Sequence, residues 1–194
     1  MSKIRTVVFG GSFNPVHKGH VALAQAVCKK GLADEVWLMV SPHNPLKEAL
    51  GLAPENHRLR MVQLAIEGLP GLKACDFEFG LPRPSYTVNT LAELEKNFPE
   101  REFMLLIGAD NWENFGAWYK SEEILSRYRI IVYPRDCEKE TLSLPEGVMW
   151  LRAPLLDVSS TQVREAVAAG SPVDDYVTGE VAVYIKENGL YKNK

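Results

Sequence analysis

Short, unbroken runs of apolar residues alternate with amphipathic stretches along nearly the whole 194-residue chain. Clear examples are Thr6-Val7-Val8-Phe9, Val36-Trp37-Leu38-Met39-Val40 and Phe103-Met104-Leu105-Leu106-Ile107. Such runs are typical of strands buried on both faces, and the helical stretches between them are typical of parallel crossovers. The pattern predicts an α/β fold, a Rossmann-like, doubly wound, mostly parallel sheet with helices on both faces.

The same alternation of apolar and amphipathic stretches predicts the bounds of each strand and helix. We predict strands at 6–9, 36–40, 72–79, 103–107, 129–133 and 148–151, and helices at 16–30, 54–67, 87–97, 121–127, 161–169 and 179–187. In such sheets, ligands bind beyond the carboxyl ends of the strands, where the strand order reverses. This rule selects the loops 10–20, 41–47, 108–118 and 153–164 as candidate site segments.

Composition limits the class of protein. With 46% hydrophobic residues the chain is expected to form one domain, 1–194. The net charge of −3 argues against a dedicated nucleic-acid-binding surface. No apolar run approaches the roughly 20 residues of a membrane-spanning helix, and the N-terminal residues lack the apolar core of a signal peptide. Cys28, Cys75 and Cys137 are widely separated, which favours a reducing cytoplasm over a disulfide framework or a cysteine zinc site.

The loop after the first strand carries the first chemical signal. Gly10 and Gly11 allow a tight turn and a close approach of backbone to ligand. The glycine pattern is neither GxGxxG nor GxxxxGK[ST], which disfavours a dinucleotide-dependent oxidoreductase and a P-loop enzyme.

Two histidines follow at the mouth of the predicted helix. His17 and His20 are three residues apart, so their imidazoles are expected on one side, beside the free N–H groups of the helix start. Gly19 between them would leave space for a nucleotide. A zinc site is disfavoured, because only His43 and His57 remain as imidazoles and three protein ligands are needed.

The last predicted loop carries the second signal. Ser159, Ser160 and Thr161 precede an apolar helix, and Arg164 lies one turn further on. A simple N-cap requires one hydroxyl, and this alternative stays open. Three hydroxyls, a helix N-terminus and a guanidinium also suit a triphosphate.

Both motifs resemble a known family. Gly11-x-Phe13-x-Pro15-x-His17-x-Gly19-His20 and Ser159-Ser160-Thr161-x-x-Arg164 are similar to the signatures of the HxGH nucleotidyltransferase superfamily. Further segments narrow the resemblance to its bacterial nicotinate mononucleotide adenylyltransferases. They are Ser41-Pro42-x-x-Pro45-x-Lys47, Arg58-x-x-Met61, Ser85-Tyr86-Thr87, Gly108-x-Asp110 with Trp118, and Leu190-Tyr191.

The resemblance implies adenylyl transfer from ATP to nicotinate mononucleotide, with Mg²⁺ held mainly by phosphates and the segment 159–194 completing the ATP site. It assigns catalysis to His17, His20 and Arg164. It assigns ATP binding to Gly10, Gly11, Ser12, Phe13, Gly19, Ser159, Ser160 and Thr161. It assigns mononucleotide binding to Asn44, Lys47, Tyr86, Thr87, Asp110, Trp118 and Arg135. A homo-oligomer is compatible with it.

Several alternatives stay open at this point. A related enzyme could act on nicotinamide mononucleotide, phosphopantetheine or a phospho-alcohol, and a non-catalytic nucleotide sensor could keep the same fold. Thr87 could be a plain helix cap, Trp118 a core residue and Lys47 a solvated lysine. His43 stands earlier than the histidine that relatives place just before the lysine, so no role is carried over to it, and the loop 136–146 is uninformative.

Overall fold

The computed structural model describes residues 2–42, 51–134, 144–153 and 156–192. Its centre is a six-stranded sheet in the order β3-β2-β1-β4-β5-β6, and each neighbouring pair is parallel. The strands are β1 (Ile4–Gly11), β2 (Glu35–Val40), β3 (Leu72–Cys75), β4 (Arg101–Gly108), β5 (Arg129–Tyr133) and β6 (Val148–Trp150). The predicted α/β fold is confirmed.

Helices connect these strands. They are α1 (Lys18–Lys29), α2 (Glu55–Ala65), α3 (Thr87–Asn97), α4 (Ala109–Glu113), α5 (Ser121–Arg127), α6 (Ser160–Ala168) and α7 (Gly179–Glu187), with 3₁₀ turns at Phe77–Gly80 and Phe115–Ala117. Within the described ranges, no helix has the length and apolar character needed to cross a membrane.

The sheet has a hydrophobic core on each face. Side chains of a strand alternate between the two faces, so Val7 and Phe9 enter one core and Val8 the other. Helices α1, α2, α6 and α7 contribute to the first core, and α3 and α5 to the second. The prediction of helices on both faces is confirmed.

Two details differ from the sequence prediction. The third strand ends at Cys75 instead of Phe79, because the chain then turns, with the Phe79 N–H bonded to the Asp76 carbonyl at 2.8 Å. Helix α4 was not predicted, since five residues are too few for a helical period of apolar side chains.

The strand order reverses beside β1. The chain runs from β1 outward to β2 and β3, then returns to β4 on the other side of β1. This reversal opens a crevice at the carboxyl ends of β1 and β4, where ligands bind in sheets of this kind. The loop bearing His17 and the segment bearing Asp110 leave the sheet at these two ends.

Candidate active site

The two histidines stack on each other at the start of α1. Their ring centroids lie 3.6 Å apart with the planes inclined by 28°. His17 is the N-cap residue and is buried, whereas His20, in the first turn, is partly exposed. The expected proximity of the two imidazoles is confirmed, and both stand beside the N–H groups that a helix start leaves without intrahelical partners.

Phe13 supports this pair from beneath. Its side chain is 2% exposed, and its ring makes edge-to-face contacts with His20 at 5.0 Å and with Phe9 at 5.7 Å. The backbone of Phe13 is left-handed, with φ at 44°, which turns the ring inward. Phe13 therefore holds the His20 ring, and its buried side chain offers little surface to a nucleotide.

Gly19 allows the side chains of His17 and Val158 to pack closely against the start of α1. A Cβ at this position would lie 3.0 Å from His17 Nδ1 and 3.1 Å from Val158 Cγ1. Both distances are tighter than ordinary carbon contacts, so a side chain would push the His17 ring or the segment before α6. The glycine thus permits close packing of the first and last loops, and the space it provides is filled by His17 and Val158.

Helix α6 is anchored to the first loop by two side chains. Ser160 Oγ donates to the Pro15 carbonyl at 2.8 Å, and Arg164 Nη1 donates to the Asn14 carbonyl at 2.8 Å. The N-termini of α1 and α6 are therefore tied to one short loop. The sequence motifs at opposite ends of the chain meet in space.

The three hydroxyls at the start of α6 have partners within the protein. Ser159 caps the helix by accepting from the Gln162 N–H at 3.2 Å, and Gln162 Oε1 accepts from the Ser159 N–H at 2.6 Å. Thr161 Oγ1 accepts from Arg164 Nη2 at 3.1 Å. The simple-cap interpretation therefore holds for Ser159, while Ser160 joins two loops and Thr161 orients the guanidinium.

Arg58, on α2, connects the loops that follow β1 and β2. It is fully buried, and Nη1 donates to the carbonyls of Ser12 and Ser41, both at 2.7 Å. Nη2 donates to the Pro42 carbonyl at 2.9 Å and Nε to the Ala53 carbonyl at 2.8 Å. Burial lowers the pKa of Arg58 from its usual value, but an arginine stays protonated in proteins, so a buried positive charge holds four carbonyls.

Gly10 and Gly11 end β1 beside this connection. The Gly11 carbonyl accepts from the Ser41 N–H at 2.9 Å, and a Cβ at Gly11 would lie 3.2 Å from the Phe13 ring. A Cβ at Gly10 would meet no atom within 4 Å. Close packing therefore explains the second glycine, while the first borders open space at the mouth of the crevice.

Three of the residues predicted to bind the mononucleotide, Tyr86, Thr87 and Trp118, lie on two neighbouring segments. Helix α3 begins at Thr87 with Tyr86 as the preceding residue, so the alternative of Thr87 as helix cap is wrong. The exposed rings of Tyr86 and Tyr119 stand 4.8 Å apart. Trp118, the residue before Tyr119, is partly buried against Phe115 at 5.4 Å. The start of α3 and the 118–119 segment thus form one surface.

Asp110 stands in the first turn of α4, directly after β4. A Cβ at Gly108 would lie 2.5 Å from Asp110 Oδ1 and 3.1 Å from Tyr133 Cζ, so only glycine permits this placement. The carboxylate is therefore fixed at the reversal of strand order.

Three predicted residues, Asn44, Lys47 and Arg135, lie outside the described residues, as do His43 and most of the loop 136–146. Within the described ranges, no three side chains of His, Cys, Asp or Glu form a group that could hold a metal ion.

Sequence reasoning assigned no role to two buried groups at this edge of the sheet, although Arg58 belonged to one of the segments that resemble the family. Arg58 occupies the apolar stripe of α2 with Met61, Val62 and Ala65, and a charged residue in such a stripe was the available signal. Glu78 is 8% exposed in the 3₁₀ turn after β3. It gave no signal, because between Phe77 and Phe79 it resembles the outward-facing residue of a strand.

Comparison with known proteins places this geometry in a family. The cytidylyltransferase-like family model matches residues 8–166, from within β1 into α6. The chain is 50% identical to a nicotinate-nucleotide adenylyltransferase of Bacteroides fragilis over 89% of this chain and 87% of that protein. A nicotinate-nucleotide adenylyltransferase of Bacteroides thetaiotaomicron is 47% identical over 96% of this chain and 93% of its own length. The chain belongs to the nicotinate-nucleotide adenylyltransferases of the cytidylyltransferase-like family.

A solved structure of low sequence identity has the same fold. The nicotinic acid mononucleotide adenylyltransferase of Plasmodium falciparum, solved in complex with NaAD, superposes with a TM-score of 0.77 at 18% identity, covering 97% of both chains. At that identity the likeness concerns the fold alone.

Proposed function

We propose that this enzyme transfers the adenylyl group of ATP to nicotinate mononucleotide, giving deamido-NAD and pyrophosphate. The observation that carries the proposal is the stacked pair of His17 and His20, held beside α6 by Ser160 and Arg164. Two helix N-termini, two imidazoles and a guanidinium converge on one edge of the sheet, as binding of a triphosphate requires. The names of relatives at up to 50% identity support the same reaction.

The chemistry needs positioning more than proton transfer. The phosphate of the mononucleotide is already ionised at neutral pH, so one of its oxygens can attack the α-phosphorus of ATP without a strong base. The new P–O bond forms as the bond to the bridging oxygen breaks, and the electron pair leaves with pyrophosphate. Catalysis then consists of in-line alignment and stabilisation of charge on the phosphoryl oxygens.

The histidine pair supplies donors for that charge. Because Nδ1 of His20 accepts the backbone N–H of His17 at 3.2 Å, the proton of the neutral ring resides on Nε2. Nε2–H would donate to an oxygen on the reacting phosphorus. Arg164, oriented by Asn14 and Thr161, would bind the leaving pyrophosphate.

The divalent metal ion is proposed to enter the site as part of the substrate. Mg²⁺ prefers oxygen ligands and often enters bound to nucleotide phosphates. We propose that it would enter bound to ATP and would neutralise part of the phosphate charge, while the N–H and cationic donors of the protein would bind the phosphates.

The surface formed by the start of α3 and the 118–119 segment would receive the acceptor. The first N–H groups of α3, at Thr87 and Val88, suit the negatively charged carboxylate of the pyridine ring. Trp118 would stack on the ring and Asp110 would accept a bond from a ribose hydroxyl. The roles predicted for Asn44, Lys47 and Arg135 stay predictions.

The cellular setting and organisation are part of the same proposal. The thiols Cys28 and Cys75 are free, and burial raises the pKa of Cys75 to about 11. Such thiols suit a reducing compartment, and we place the enzyme in the cytoplasm. We treat 1–194 as one catalytic domain whose segment 159–194 completes the ATP site. Assembly into a homo-oligomer stays a prediction.

Pyrophosphate release tests the proposal. The protein is incubated with ATP and Mg²⁺ and with either nicotinate or nicotinamide mononucleotide, and the initial rates are compared. We expect the acid to be strongly preferred and His20→Ala to be slower by about 100-fold or more. We expect His57→Ala to match the parent, because His57 pairs with Tyr184 on the outer helices. Preference for the amide would overturn the acceptor assignment. Failure with both would overturn the function, and phosphopantetheine turnover or ATP binding without turnover would identify the alternative.

A further inference from the structure

Glu78 is a buried carboxyl group at the edge of the sheet where the site lies. It sits in the 3₁₀ turn Phe77–Gly80 that follows β3, and only 8% of the residue is exposed. A carboxyl group removed from water to this extent requires hydrogen-bond partners. None of the roles assigned above involves it.

The partners of Glu78 are hydroxyl groups from three different segments. Thr90 Oγ1, in the first turns of α3, donates to Glu78 Oε1 at 2.9 Å. The hydroxyls of Ser41, directly after β2, and Ser85, directly before Tyr86, lie close enough to the same carboxyl to lower its pKa. Burial, the largest influence, raises the pKa of Glu78, and the nearby hydroxyls of Thr90, Ser41 and Ser85 oppose that rise without cancelling it.

These partners surround the start of α3. Ser85 precedes the first turn, and the backbone N–H of Thr90 closes that turn by donating to the Tyr86 carbonyl at 3.0 Å. The Glu78 carboxyl thus bonds to Thr90 at one end of the turn and lies beside Ser85 at the other. Because Ser41 directly follows β2, the same carboxyl also lies between the turn and the end of β2.

We propose that Glu78 is a positioning residue for acceptor selection, which holds the N-terminal turn of α3 so that the N–H groups of Thr87 and Val88 meet the acidic substituent of the pyridine ring. The inference rests on the proposed function. Under this proposal, discrimination between acid and amide depends on the Glu78 side chain, which does not touch the substrate. A small displacement of the N–H donors at Thr87 and Val88 is enough to weaken their bonds to the acid.

A residue with a merely structural role gives the matched control. Glu35 is equally buried, at 7% exposure, and lies at the opposite, amino-terminal end of β2. Its carboxylate accepts from Thr6 at 2.8 Å and Arg101 at 2.9 Å, and pairs with Lys73 at 2.7 Å. Removing it should destabilise the fold without moving α3 relative to the site.

The test compares Glu78→Ala, Glu78→Gln and Glu35→Ala. Initial rates give KM and kcat for ATP and for both mononucleotides. For Glu78→Ala we expect the KM for nicotinate mononucleotide to rise by about 10- to 100-fold. The KM for ATP should stay unchanged and the preference for acid over amide should fall. Glu78→Gln retains an acceptor for Thr90 and should restore most of the preference, and Glu35→Ala should retain all of it.

Thr90→Val covers the case in which Glu78→Ala does not fold, because it removes a single hydroxyl and keeps the side-chain volume. It should show the same fall in preference to a smaller extent. The inference is overturned if the acid-to-amide ratio in Glu78→Ala or Thr90→Val equals that of the parent, or if Glu35→Ala lowers it equally. Absence of turnover in the parent protein would instead overturn the proposed function, so the two failures are distinguishable.

Discussion

The backbone N–H of His17 donates a hydrogen bond to Nδ1 of His20 over 3.2 Å. This bond sets the orientation of the His20 ring and its tautomer together, since an acceptor nitrogen carries no proton. The edge of Phe13 against the same ring, at 5.0 Å between centroids, restricts its rotation. The donor proposed for the reacting phosphate is thereby fixed before any substrate arrives.

The fixed tautomer leads to a prediction for substitutions of His20. Loss of a preorganised donor to a transition-state oxygen typically lowers kcat by about 100- to 1000-fold, and we expect His20→Ala in that range or beyond. The amide nitrogen of glutamine reaches near the Nε2 position, whereas that of asparagine lies near Nδ1. His20→Gln should therefore retain more activity than His20→Asn in steady-state assays, and the reverse order would contradict the assigned tautomer.

Gly19 leads to a second prediction. Gly19→Ala places a Cβ 3.0 Å from His17 Nδ1, so the stacked pair must shift. Alanine in a helix is otherwise favoured over glycine by roughly 1 kcal/mol, which partly offsets the clash in stability. We expect kcat to fall while the melting temperature changes little. Gly179→Ala, in the first turn of α7 with no atom within 4 Å of the added Cβ, is the control and should leave kcat unchanged. Equal kcat values for both variants would argue against the packing role.

Arg58 leads to a third prediction. Arg58→Met removes the partner of four buried carbonyls, and each unsatisfied carbonyl costs roughly 1–3 kcal/mol, less whatever water recovers. We expect a large fall in the free energy of unfolding and a higher KM for both substrates, since the loops after β1 and β2 lose their common anchor. Arg58→Lys should recover only part of this, because an ammonium cannot span four acceptors in two loops. Arg60→Met, two residues along the helix and exposed, should leave the urea midpoint and both KM values unchanged.

The two buried glutamates lead to a fourth prediction, in which pH dependence has opposite signs. The pKa of Glu78 is raised above 4.5, so the folded protein binds its proton more readily than the unfolded chain, and stability declines as pH rises above about 4.5. Burial would also raise the pKa of Glu35, but bonds from Lys73, Thr6 and Arg101 lower it. Its contribution is present above 4.5 and is lost as pH falls below that value.

Urea unfolding from acid to neutral pH measures both effects. Glu78→Gln should remove part of the decline on the alkaline side of the window, and Glu35→Gln should remove part of the loss on the acid side. Identical pH dependence of the two variants would show that their surroundings do not differ in the way the structure indicates.

The sequence alone was sufficient to predict those elements that a repeated pattern of apolar side chains specifies. Continuous runs such as Phe103-Met104-Leu105-Leu106-Ile107 become strands buried on both faces. They are predictable because every residue of the run is apolar. The proximity of the histidine pair was also predictable from spacing. His17 proves to be the N-cap residue and His20 the N3 residue of α1, and these two positions face each other in a capping box.

Other features depend on contacts that local sequence does not determine. Phe13 lies in a loop that was predicted to bind ligand, yet its left-handed backbone turns the ring into the core. The partner of Ser160 is the carbonyl of Pro15, 145 residues away, so no local pattern could show that the hydroxyl was occupied. Glu78 is buried only because the chain leaves β3 early and folds under α3.

Transfer of the α-phosphate of ATP to the mononucleotide distinguishes adenylyl transfer from other reactions of ATP. ATP labelled at the α-phosphorus is incubated with Mg²⁺, nicotinate mononucleotide and the protein, and the products are separated. We expect the label to appear in a dinucleotide and an equal amount of unlabelled pyrophosphate to be released. Label that stays in ATP, or that appears only in AMP, would contradict adenylyl transfer to the mononucleotide.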